Sequence, residues 1–291
     1  MSRIAYVNGR YVPHRAARVH VEDRGYQFAD GVYEVWFILN GRLLDEEGHL
    51  TRLQRSLNEL QIAAPMSLAA LRFVLRETAR RNKVRNGVVY LQITRGVAPR
   101  DHVFPKDVAP SIVVTSRSVD MEAISAKSAR GVAVISRPDE RWARPDIKTV
   151  GLLANALGKQ AAAESGAQEV WFVDHAGHVT EGGSTNAWIV DAEGRLVTRQ
   201  ADNGILNGIT RRTVKRLAEE RQIAVVERPF TVEEAQAAQE AFMTSATSFV
   251  MPVIKIDGVE ISGGRPGPVA QRLRKTYMEI AQAEAGSPIS A

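Results

Sequence analysis

Arg144-Pro145-Asp146-Ile147-Lys148-Thr149 sets one lysine where a loop enters an apolar, helix-patterned stretch from Leu152 to Ala163. Most lysines are solvated surface charges. This one lies between Pro145-Asp146-Ile147 and Thr149-Val150-Gly151-Leu152-Leu153. Burial at such a point would lower the amine pKa and make the neutral nucleophile available. Further along, Val179-Thr180-Glu181-Gly182-Gly183-Ser184-Thr185-Asn186 puts a carboxylate on a glycine-rich turn between two strand-like runs. Gly182 and Gly183 permit a tight turn and a close approach of backbone to a ligand. Taken singly, the lysine could be a surface charge and the glutamate a solvated turn residue.

Gly204-Ile205-Leu206-Asn207-Gly208-Ile209-Thr210 opens a helix-patterned segment. The free N–H groups and positive dipole of a helix N-terminus suit a phosphate, and Thr210 adds a hydroxyl. The plainer reading is that Asn207 or Thr210 only caps the helix. Arg52, in His49-Leu50-Thr51-Arg52-Leu53, could supply a cation. The loop from Thr94 to Pro105 carries Arg100 and His102 two residues apart, beside Pro99, Phe104 and Pro105. Arginine grips carboxylates bidentately and histidine adds a donor. The apolar residues make this loop stiffer than a mobile surface loop needs to be. An amine that can form an imine, together with a carboxylate that can keep a ring nitrogen protonated, is what pyridoxal phosphate (PLP) chemistry requires.

The 291 residues suffice for two domains or one large one. No run of about eighteen apolar residues is present, so no membrane span is expected. The start, Met1 to Val7, lacks a signal-peptide core and reads as a strand. Cysteine is absent, which excludes disulfides, cysteine metal sites and thiol catalysis and makes a reducing cytoplasm the simplest home. No metal site is expected. The net charge is +5, but arginines are interleaved with acids, as from Arg211 to Arg221, so the basic surface suits anionic substrates better than nucleic acid.

The pattern predicts an α+β chain. Ile4–Val12 reads as a hairpin through Asn8-Gly9, and Val32–Leu44 repeats the device through Asn40-Gly41. Residues 49–62 and 67–83 carry helical periodicity, and 87–94 and 111–116 alternate as strands. Residues 119–130 are polar and rich in small side chains. They are the expected linker between a domain at 1–118 and a second at 131–291. The second half should begin with a strand at 132–136. After the Lys148 loop should come a helix at 152–165, then an antiparallel meander of 170–173, 187–190 and 196–198. Beyond it are expected a helix at 209–222, a strand at 225–228, a short helix at 232–239, strands around Phe242 and Ile254, and a terminal helix at 268–285.

These pieces, in this order, resemble the fold-type IV PLP enzymes, also called class IV aminotransferases. The resemblance covers nearly the whole chain. It rests on Asp30-Gly31-Val32-Tyr33-Glu34, His49-Leu50-Thr51-Arg52-Leu53, Lys148 with Leu152-Leu153-Ala154-Asn155, Thr180-Glu181-Gly182 with Ser184 and Asn186, and Gly208-Ile209-Thr210. It implies a smaller N-terminal α+β domain and a larger C-terminal mixed domain, with the cofactor at their interface. It assigns Lys148 as the Schiff-base lysine and proton carrier, and Glu181 as the partner of the ring nitrogen. Arg52, Ile209 and Thr210 become phosphate ligands, and Leu206 packs against the ring. Within the family, Arg100-x-His102 with Phe104-Pro105 and Tyr33 is similar to the D-amino-acid transaminase pattern. There, the three side chains trap the substrate α-carboxylate. The arginine and histidine come from the neighbouring subunit of a homodimer. D-amino acids and 2-oxo acids would then exchange amino groups in a ping-pong cycle. Relatives of the same fold remain as alternatives: branched-chain and (R)-amine transaminases, and aminodeoxychorismate lyase. More remote is a non-catalytic protein with a basic binding surface. The chain departs from the family at Thr244-Ser245-Ala246-Thr247-Ser248. Ala246 stands where threonine is common, so its backbone N–H or the Thr247 hydroxyl would serve the phosphate. Phe249 stands where an acidic residue is common.

Overall fold

The computed structural model describes residues 3–286, so the outermost residues of both expected domains, 1–2 and 287–291, lie outside the described residues. The chain divides into two compact units. The first runs up to Asp120 and includes Ile147–Gly151 and the residues from Gln282; the second comprises Met121–Asp146 and Leu152–Ala281.

In the first unit, β1 (Ile4–Val7) and β2 (Arg10–Pro13) form the expected hairpin, with Asn8 and Gly9 both at positive φ. The short helix α1 (Arg24–Phe28) leads into β3 (Gly31–Leu39), which turns through Asn40-Gly41 into β4 (Arg42–Leu43). Helices α2 (Glu46–Glu59) and α3 (Leu68–Arg81) precede β5 (Gly87–Thr94) and β6 (Ser111–Ser118). The six strands make an antiparallel sheet in the order β2-β1-β6-β5-β3-β4. The two-residue period of a strand sorts β3 into two faces. Val32, Trp36 and Ile38 join Leu50, Leu53 and Leu57 of α2 in one buried core. Glu34 lies on that same face, and Tyr33 on the other.

The second unit begins with α4 (Met121–Arg130) and β7 (Val132–Pro138). The stretch expected as a linker is therefore mostly helix. Its methionine, glutamate, alanines and lysine are good helix formers, whatever their polarity. Next come α5 (Leu153–Glu164), β8 (Glu169–Val173), β9 (Val179–Gly182), β10 (Asn186–Val190) and β11 (Leu196–Thr198). They are followed by α6 (Ile209–Glu220), β12 (Val225–Glu227), α7 (Val232–Ala237), β13 (Glu240–Ser245), β14 (Phe249–Ile256), β15 (Val259–Glu260) and α8 (Pro268–Gly286). The sheet runs β12-β11-β10-β13-β14-β7-β8-β9, with β15 on β14. The expected meander is thus only half present. β10 and β11 pair antiparallel, but β8 pairs with β7 and β9, and β13, β14 and β7 lie between β8 and β10 in the sheet. Local sequence marks strands but does not choose their neighbours. Trp171, Phe230, Met243 and Met251 are among the buried side chains that fill this core.

The Lys148 segment, expected in the second domain, groups with the first unit because it completes an open sheet edge. β4 covers β3 only at Ile38 and Leu39. At the other end of β3, Tyr33 N–H donates to Lys148 O at 3.0 Å and Val150 N–H to Gly31 O at 3.1 Å. No described helix is long and apolar enough to cross a membrane.

Candidate active site

The residues singled out from sequence fall into two groups, one in each unit. In the first, the edge pairing holds the half-buried Lys148 with its Nζ 4.2 Å from the centroid of the Tyr33 ring. Tyr33 stacks on Tyr90 at 5.6 Å. Burial, with a smaller push from Tyr33, raises the Tyr90 phenol to about 12, so it stays protonated and donates to Gln92 Oε1 at 2.8 Å.

Arg52 lies on the opposite face of β3. Its Nε and Nη2 donate to Glu34 Oε1 and Oε2 at 2.7 and 2.9 Å, and His49 Nδ1 lies 2.7 Å from Glu34 Oε2. Burial alone would raise the Glu34 carboxyl, but the charges and hydrogen bonds of Arg52 and His49 override it and hold it well below the usual range. Burial also lowers the His49 pKa, outweighing the pull of Glu34. The neutral ring then presents its Nδ1–H to the carboxylate.

Arg100 and His102 are exposed and share one platform, the ring of Phe28. The Arg100 guanidinium carbon lies 5.0 Å from its centroid and the His102 ring 5.4 Å. The loop beneath them is pinned twice. Arg24, one turn before Phe28 on α1, donates to the carbonyls of Asp101 and His102. Arg95 stacks over Phe104 at 3.6 Å. Asp30 ties both arginines together, with Nε–Oδ2 distances of 2.7 Å to each.

In the second unit, Glu181 sits on β9 with donors on several sides. Its Oε1 accepts from Arg141 Nη1 and from the backbone N–H of Leu206 at 3.0 Å. Its Oε2 accepts from Asn186 Nδ2 at 2.9 Å. Arg141 is itself gripped by Asp139. Burial would lower the Arg141 pKa, yet Asp139 and Glu181 raise it, so the guanidinium keeps its charge. Asn186 Nδ2 also donates to Leu206 O at 2.9 Å, tying the loop before α6 to β10. A Cβ on Gly208 would overlap Asn186 Oδ1, which explains glycine there.

Helix α6 starts after Gly208 with no side-chain cap, so its first N–H groups are free of intrahelical partners. Thr210 Oγ1 is buried and has no hydrogen-bond partner. An uncapped helix start with an orphan hydroxyl fits a phosphate. The turn between β13 and β14 carries the half-buried Ala246 and the exposed Thr247. Ser245 Oγ lies 2.6 Å from Ser248 Oγ and 3.4 Å from Thr247 Oγ1, which shapes a hydroxyl-rich bend. Among the described residues, no group of three or more histidines and carboxylates could hold a metal ion.

Sequence reading had no role for Arg141, Phe28, Glu34 or Asn186. Glu34 did leave a signal, a single acid within the apolar run of β3. Arg141 and Phe28 left none, since their partners lie far along the chain or in an ordinary loop.

The family described as Amino-transferase class IV matches residues 31–256. A D-alanine aminotransferase of Listeria monocytogenes serotype 4b is 40% identical over 274 residues, 94% of each chain. One of Staphylococcus haemolyticus is 36% identical, over 94% of this chain and 95% of its own. Among solved structures, the branched-chain amino acid aminotransferase of Escherichia coli superposes with a TM-score of 0.91 at 23% identity, covering 100% of this chain and 98% of that one. The one from Thermoproteus uzoniensis gives 0.86 at 26% identity, with coverage of 98% and 96%. With the family match, the relatives and the fold in agreement, the chain belongs to the class IV aminotransferases.

Proposed function

We propose that this aminotransferase exchanges amino groups between D-amino acids and 2-oxo acids, of the type D-alanine plus 2-oxoglutarate to pyruvate plus D-glutamate, with PLP as cofactor. The observation that carries the substrate class is the pairing of Arg100 and His102 over Phe28, a guanidinium and an imidazole presented side by side to solvent. The relatives named D-alanine aminotransferase over nearly the whole chain point the same way.

When bound, PLP supplies an electron sink for charge developing at the substrate Cα. The chain's own groups do the rest. Lys148 Nζ would hold the cofactor and, once the substrate amine has taken its place, would be free to carry the proton away from the substrate Cα. Tyr33, against which that amine lies, forms a wall beside it. Glu181 accepts the ring N–H, and Arg141 and Asn186 hold Glu181 in place for it. Leu206 presents its half-buried side chain to the ring while its N–H steadies Glu181. Arg52, the N–H groups of Ile209 and Thr210, the Thr210 hydroxyl, and the turn at Ala246 and Thr247 take the phosphate.

Arg100, His102 and Tyr33 take the α-carboxylate, the first two serving a second copy of the chain. A homodimer is supported by apolar residues left in the open. Leu153 and Leu157 on α5 are 74% and 59% exposed, and Val103, next to His102, is 73% exposed. A chain without cysteine is indifferent to redox state, which fits the cytoplasm.

The test is a half-reaction with the purified full-length enzyme. D-alanine alone, not L-alanine, is expected to convert the visible absorbance to that of the aminated cofactor and release one 2-oxo acid. Conversion by L-leucine instead would overturn the reading of Arg100 and His102. Lys148→Ala is expected to drop turnover by about ten-thousandfold, the upper range for a lost acid–base group. Residual turnover well above about a ten-thousandth of wild type would remove Lys148 from its role.

A further inference from the structure

Phe249 is fully buried, and its φ is +60°. A left-handed conformation is costly for a bulky side chain, and at the close of a tight hairpin the position is ordinarily given to glycine. Such strain persists only where the surroundings over-determine it. Two residues of α8 belong to those surroundings. Arg274 Nη1 donates to Ser248 O and to Val250 O, both at 2.7 Å, clasping the backbone on either side of Phe249. The guanidinium also lies 5.6 Å from the centroid of the Phe249 ring, and Tyr277, one turn on, lies 5.5 Å from that ring. Among the described residues, no carboxylate lies within ion-pair distance of Arg274. Burial lowers its pKa to about 10, which still leaves it charged at neutral pH.

We propose that Arg274 is a positioning residue for the cofactor phosphate: by clasping Ser248 and Val250 it holds Phe249 left-handed and so fixes the bend that presents the N–H groups of Ala246 and Thr247. This rests on the assignment of that bend to the phosphate. It also accounts for the absence of an acid at Phe249. A carboxylate there would pair with Arg274 and pull it off the carbonyls, whereas an aromatic ring packs beneath the guanidinium and leaves its N–H groups to the backbone.

The experiment is equilibrium dialysis of the full-length enzyme against PLP and, separately, against pyridoxal, which lacks the phosphate. Arg274→Met keeps the aliphatic stem and removes the donors. It is expected to raise the PLP dissociation constant about tenfold while leaving that of pyridoxal unchanged, in line with loss of charge-assisted bonds that hold a ligand site. Arg274→Lys, which can still reach a carbonyl, should restore most of the difference. If Arg274→Met does not fold, Arg274→Gln is read in the same way. Equal weakening toward both ligands, or no weakening, would overturn the proposal and leave Arg274 a packing residue. Thr210→Val separates the two levels of the argument. If it too leaves the preference for PLP over pyridoxal unchanged, the phosphate assignment fails. If it lowers that preference and Arg274→Met does not, only the role of Arg274 fails.

Discussion

Replacing Glu34 by glutamine tests the charge cluster under the first sheet. Glu34 is 0% exposed, and it receives two donors from Arg52 and one from His49. Glutamine keeps one acceptor oxygen but turns an NH2 toward these donors, and it takes the Glu34 charge away from Arg52 in a site where only 9% of the arginine side chain is exposed. Breaking one partner out of a buried ion pair costs about 3–5 kcal/mol, and the lower end applies because one acceptor remains. At roughly 2–4 °C per kcal/mol for a chain of this size, the variant should melt about 6–12 °C lower. Melting is best followed without cofactor, so that ligand linkage does not mask the effect. The pH dependence gives a second readout. The folded carboxyl is depressed below its unfolded value of about 4.3. Its stabilisation is therefore complete above that pH and is lost as pH falls toward the folded pKa. The folded His49 pKa is likewise lowered. Below about 6.5 the unfolded chain takes up that proton first, so acidification weakens the fold there as well. In Glu34→Gln the limb below about pH 4.3 should flatten, while the limb between 6.5 and 4.3 remains. A loss of less than about 1 kcal/mol with an unchanged acid limb would refute the reasoning, since it would mean that Arg52 does not depend on Glu34.

Arg141→Met should lower the single-turnover rate with D-alanine by at least about tenfold, because Glu181 loses the guanidinium that holds it; an unchanged rate would exclude that coupling. Gly208→Ala should drive a methyl into Asn186 Oδ1 and weaken PLP retention, read from the visible absorbance of the purified protein, with little effect expected if Asn186 can swing away freely. Ala29 closes α1 at φ +56°, where glycine carries no Cβ penalty, so Ala29→Gly should stabilise by up to about 1 kcal/mol after the extra unfolded-state entropy is subtracted. A lower melting temperature for that variant would show the left-handed cap to be unstrained.

Much of the local structure was legible because it is written in local chemistry. Asn8-Gly9 and Asn40-Gly41 supply two residues at positive φ and so make hairpins wherever they fall between apolar runs. The helical periodicity read from residue 67 onward is α3, which Ser67 caps by accepting from the N–H of Ala70. Two elements were not legible in this way. Polar, small side chains at 119–130 suit a linker and a surface helix alike, and helix propensity makes most of the stretch α4, while strands near in sequence, such as β8 and β10, need not be neighbours in the sheet.

By itself the sequence determined which groups are available: one lysine at the entry to an apolar helix, one glutamate on a glycine turn, a helix start carrying a threonine, and an arginine with a histidine on a stiff loop. Type and spacing along the chain carry that information. Only the tertiary structure decided what each group answers to. Lys148 lies on Tyr33 because the end of β3 left an edge to be paired. Glu181 faces Arg141, Arg100 and His102 meet on Phe28, and Arg274 reaches the bend at Phe249 from a helix far along the chain. Each of these contacts joins residues that no local pattern relates. Hydrogen bonds and ring contacts act over a few ångströms of space, and the fold alone converts sequence separation into that distance.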